Sequence, residues 1–159
     1  MAAAVTIRHS RVRLAPDVVG RAATRALAAV GRPAAAVEIH VVDDAEIRRL
    51  NRQFRGVRRR TDVLAFPLEV PGSAAGLLGQ IVISADTARR QAERVGVSLR
   101  DELTLLVTHG VLHLVGWDDR DPVEADLMHR RECEILNTAA KRLWTGLLSD
   151  RRARGPRYN

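Results

Sequence analysis

At 159 residues the chain has the length of one domain with a real core, and 46% apolar against 28% charged residues excludes a low-complexity or wholly disordered polypeptide. No apolar run approaches the roughly 20 residues that span a bilayer, the opening MAAAVTIRHS holds no apolar segment of signal-peptide length, and the single Cys133 allows no intramolecular disulfide, so the expectation is a cytoplasmic protein without membrane or disulfide-linked partners. Twenty-six basic residues against nineteen acidic leave a net charge of +7, which points toward a polyanion.

In chain order, Val5 to Arg8 reads as a short strand, and Pro16 with Asp17 opens an Ala-rich helix that reaches about Gly31. Val37 to Val42 alternates Val37, Ile39 and Val41 inward against Glu38, His40 and Val42, as a half-buried strand does. Asp43 or Asp44 caps a helix that carries Ile47 and Leu50 on one side and ends near Arg55 and Gly56. Seven arginines and no acidic residue lie between Arg48 and Arg60, which suggests phosphate contacts. Aromatic residues make up only 3% of the chain, so a surface built on base stacking is not expected.

Asp62 to Leu68 and Leu78 to Ser84 read as two further strands, with Pro67 placing the first at a sheet edge or ending it there. A polar helix follows from Asp86 to about Gly96. Ser98 with Asp101 and Glu102 then opens a far more apolar one running to Gly116, whose Leu103, Leu106, Val107, Val111, Leu112, Leu114 and Val115 surround it and put it at the centre of the fold. A last helix is expected from about Pro122 to Leu147, with Met128, Ile135, Ala139 and Leu143 on one face. Residues 1–150 form one domain in this reading, and Arg151 to Asn159 are a frayed basic tail.

The segment that carries chemistry is HGVLHLVGWDD, residues 109–119. His109 and His113, four apart on the most buried helix, project from one face one turn apart and suit a single metal ion. Gly116 turns the chain back and brings Asp118 and Asp119 toward the same ion; His129 on the next helix is a minor candidate for a third ligand. Three protein ligands leave an open position, which lets a zinc ion acidify water or polarise a phosphoryl oxygen. The spacing echoes H-E-x-x-H, but Gly110 stands where that motif has its glutamate, so peptide hydrolysis is disfavoured and phosphodiester cleavage stays open.

These residues resemble the YbeY family of bacterial rRNA maturation factors, single-strand-specific endoribonucleases. HGVLHLVGWDD follows the signature H-G-x-L-H-L-x-G-[YW]-D-H except at its last position. LNRQFRGVRRRTDVLAFP at residues 50–67 and LGQIVI at residues 78–83 match two further stretches. The resemblance implies an α+β domain, with a mixed, roughly four-stranded sheet packed with about five helices and a central apolar metal-binding helix. It implies His109 and His113, with Asp119 in the third place, as ligands of one zinc ion, and His109, His113 and Arg55 as catalytic residues; the clustered charge adds Arg52, Arg55, Arg58, Arg59 and Arg60 as the RNA-binding set. The implied partners are rRNA precursors and the small ribosomal subunit, and the implied role is rRNA maturation and ribosome quality control.

Three positions depart from the family pattern: Asp119 replaces its third His ligand, Gln80 its Asp in L-G-D, and Arg60 its Pro before Thr61. A carboxylate ligates zinc but lowers the ion's net charge, and it admits harder divalent metals such as Mn²⁺. The alternative reading is an RNA-binding or ribosome-binding factor whose metal site is structural or degenerate.

Overall fold

The chain is described here by a computed structural model covering residues 3–7, 13–55, 63–68, 76–118 and 121–136. β-branched residues at alternate positions build the sheet. Its strands are β1 (Ala3–Ile7), β2 (Ala36–Val42), β3 (Val63–Pro67) and β4 (Leu77–Ser84), in the order β1-β2-β4-β3. β1, β2 and β4 run parallel, and β3 pairs antiparallel with β4 at the edge, where the strand ends on Pro67. The register aligns Val5, Ile39, Ile81 and Ala65 in one apolar row across the sheet.

Helices cover both faces. On one lie α1 (Pro16–Ala29), α3 (Ala85–Val95) and α4 (Leu99–Leu114), which share a core with Val37, Ile39, Val41, Ile81 and Ile83. The small side chains of α1 (Ala22, Ala23, Ala26) let it lie close, while Leu103, Leu106, Val107 and Val111 of α4 fill the centre. Each fully buried leucine of this set contributes about 1.5–3 kcal/mol. α5 (Pro122–Ile135) packs on the far side of α4 through Met128 and Ile135 against Leu112. α4 is therefore enclosed on all sides, as its apolar circumference predicts.

The opposite sheet face is covered by α2 (Asp44–Arg55), whose Ile47 packs on Val42, Leu64 and Val82. Val42 consequently departs from the expected outward exposure: it points away from the main core but is buried under α2. α5 is shorter than expected, ending at Ile135 with Leu136 as its C-cap. Ala139, Leu143, Leu147 and the basic tail lie outside the described residues.

Candidate metal centre

Ser98 starts α4 by accepting a hydrogen bond from the Asp101 amide at 3.1 Å. Three turns on, the helix carries His109 (1% exposed) and the half-buried His113. Between them Gly110 faces the sheet, where a Cβ atom would come within 2.9 Å of Ile81 Cγ2. The missing glutamate of the protease-like motif thus has a packing cause: any side chain at 110 is aimed at β4, whose buried, β-branched Ile81 has little room to yield.

The two imidazoles meet edge to face, with ring centroids 4.5 Å apart. Their Nε2 atoms stand 3.0 Å apart. Each ring is anchored through its other nitrogen. His113 Nδ1 lies 2.9 Å from the Trp117 carbonyl oxygen, which only accepts, so His113 donates there. Gly116, at φ 104°, reverses the chain to bring that carbonyl back, and the Trp117 amide donates to Leu112 O at 3.0 Å. His109 Nδ1 hydrogen-bonds Glu132 Oε1, and Glu132 Oε2 lies 3.3 Å from His129 Nδ1. Glu132 is wholly buried on α5. With both Nδ1 atoms set on acceptors, the two Nε2 atoms face one another, and a shared cation would take a lone pair from each. A borderline-soft divalent ion such as zinc suits two imidazoles oriented by a carboxylate and a carbonyl.

Of the other expected site residues, Asp118 follows Trp117 and is half-buried, while Asp119 lies outside the described residues. So do Arg58, Arg59 and Arg60. Arg55 ends α2, and its side chain is also outside the description. Arg52 is exposed on α2, on the sheet face opposite α4, so the structure does not bring it to the histidines. It shares a groove of about 390 Å³ with Ala45, Arg48, Arg49 and Gln53. Arg49 is engaged there by Glu46 at 2.7 Å. His129 joins the centre through Glu132. No group of three metal-ligating side chains occurs among the described residues.

Gln80 has a local explanation. It pairs in register with Glu38 on β2 and donates from Nε2 to Glu38 Oε2 at 2.8 Å. A carboxylate at position 80 would face a second carboxylate directly across the strands.

Sequence reasoning missed Glu132. Its signal was present: Met128, Glu132 and Ile135 follow helical spacing, so a carboxylate sits on the buried stripe of α5, where an ionised group requires a partner.

The chain matches the family model described as endoribonuclease YbeY over residues 7–140. It is 42% identical over 135 residues to an endoribonuclease YbeY of Anaeromyxobacter sp. (strain Fw109-5), spanning 85% of this chain and 70% of the relative. With the protein of the same name from Aquifex aeolicus it shares 35% identity over 140 residues, 87% of this chain and 93% of the relative. The Nautilia profundicola relative, also an endoribonuclease YbeY, is 53% identical over 101 residues, 63% of this chain and 69% of that one. A solution structure of a Thermotoga maritima protein superposes with a TM-score of 0.56 at 23% identity, covering 96% and 94% of the two chains, a likeness of fold.

Proposed function

Because the chain belongs to the endoribonuclease YbeY family, we propose that it is a zinc-dependent, single-strand-specific endoribonuclease that acts in the cytoplasm on rRNA precursors, in small-subunit rRNA maturation and ribosome quality control. The observation that carries the metal dependence is the facing pair of Nε2 atoms, 3.0 Å apart, with each Nδ1 held on an acceptor. His109 and His113 would hold the ion together with Asp119. When bound, the ion supplies Lewis-acid stabilisation of charge developing on the phosphoryl oxygens.

The protein's own groups do the rest. Glu132 and the Trp117 carbonyl keep protons on the two Nδ1 atoms and so fix both ring orientations. Arg55 is assigned to the scissile phosphate, where a guanidinium binds two oxygens at once. Arg52, Arg58, Arg59 and Arg60 engage the flanking backbone phosphates.

The test is cleavage of single-stranded RNA by wild type before and after chelation, with zinc and Mn²⁺ added back separately, beside His113→Ala. Activity lost on chelation, restored by one metal and absent from the folded variant supports the reading. Cleavage untouched by chelation and by His113→Ala contradicts it.

A further inference from the structure

α5 carries a carboxylate that the reading above does not require as a ligand, yet the fold spends a fully buried position on it. Glu132 has no exposed surface and reaches two imidazoles: Oε1 bonds His109 Nδ1, and Oε2 lies 3.3 Å from His129 Nδ1. The carboxylate oxygen that bonds Nδ1 serves as the acceptor there, which selects the His109 tautomer whose proton sits on Nδ1. The other nitrogen of that ring is the one 3.0 Å from His113 Nε2. Burying a charge costs several kcal/mol unless it is paired, and a salt bridge serving stability alone is often replaced by apolar side chains without loss.

We infer that Glu132 is a positioning residue, holding the proton on His109 Nδ1 so that His109 Nε2 faces His113 as a lone-pair donor, with His129 as the second support of the carboxylate. α5 thereby takes part in the centre without contributing a ligand: it sets the direction and basicity of a ligand borne on α4. This rests on the metal reading of the His109–His113 pair.

The experiment separates the two. Ring ¹⁵N NMR of the metal-free wild type reads the His109 tautomer directly, and competition with a chromophoric chelator reads the zinc dissociation constant of wild type, Glu132→Gln and Glu132→Met. The expected results are an Nδ1–H tautomer for His109 and a loss of zinc affinity of about 10- to 100-fold in Glu132→Met, the usual effect of removing such an outer partner. Glu132→Gln retains an acceptor oxygen and recovers part of that loss. An Nε2–H tautomer at His109 in the wild type, or zinc bound by Glu132→Met as tightly as by wild type, overturns the inference. Should Glu132→Met not fold, the tautomer and an undiminished Glu132→Gln affinity serve the same purpose. Should the wild type bind no zinc, the metal reading falls, and the tautomer alone decides the role of Glu132.

Discussion

Each imidazole of the central pair sets its Nδ1 on an acceptor and its Nε2 against its neighbour, so the position of one proton on each ring decides what the pair can bind. Arg55 belongs to the same scale. If its guanidinium binds the scissile phosphate, Arg55→Ala lowers kcat by about 100- to 1,000-fold, the range seen on removing one donor to developing charge. Lysine at that position restores little, because it lacks the two-pronged geometry; steady-state kinetics with the wild type and both variants check this, and an unchanged kcat removes Arg55 from the chemistry. Asp44 governs stability instead. Burial pushes its carboxyl up, but hydrogen bonds from Thr87 Oγ1 at 2.6 Å, Ser84 Oγ at 2.7 Å and Arg90 at 2.8 Å outweigh that and hold it at about 2, below the ordinary 3.8. A carboxyl with a lowered folded pKa stabilises the fold fully above the unfolded value, and that contribution fades as pH falls from about 4 through 2. Urea unfolding across this range is therefore expected to lose stability more steeply in wild type than in Asp44→Asn. Parallel curves would remove Asp44 from the acid response.

Among the secondary elements, the tightest constraint is the seat of α4 on the sheet. A Cβ atom at Gly79 of β4 would stand 2.3 Å from the Phe66 carbonyl oxygen and 2.8 Å from Leu114 Cδ2, so an alanine there must push apart β3, β4 and the end of α4 together. Gly79→Ala is expected to cost about 1–3 kcal/mol or more in denaturant unfolding, and to weaken zinc binding by displacing the end of the helix that bears His113. An unchanged midpoint would mean that the contact relaxes without cost. Much of this element layer was legible beforehand. The i, i+4 histidines, the capping Ser98, the apolar circumference of α4 and the terminal Pro67 of an edge strand each depend on neighbours close in sequence. What escaped depends on neighbours far away. Glu132 meets His109 across 23 residues, Gly110 of α4 is explained only by Ile81 on β4, and Val42 is buried only because α2 crosses the face it points to.

For the molecule as a whole, the sheet separates two groups of residues. α4, α1, α3 and α5 lie on one side with the histidine centre, and α2 lies on the other with Arg48 and Arg52 exposed on its groove. Net charge and the run of arginines were plain in the sequence, but the face that α2 takes is a property of the assembled sheet. If an RNA strand reaches both places, phosphate contacts of Arg48 and Arg52 contribute affinity and register, while Arg55 at the end of α2 is the arginine assigned to the chemistry. In binding assays against single-stranded RNA over a salt series, Arg52→Ala with Arg55→Ala is expected to reduce the slope of log affinity on log salt by about 1.4, some 0.7 per lost phosphate contact. An unchanged slope would take both residues out of the interface. The account as a whole turns on whether the facing imidazoles hold an ion. The most direct measurement is elemental analysis of folded wild-type protein prepared under zinc-replete conditions, beside His113→Ala and Asp119→Ala. Near-stoichiometric zinc in the wild type, falling in both variants, is the predicted result; a well-folded wild type that carries no metal would contradict the account.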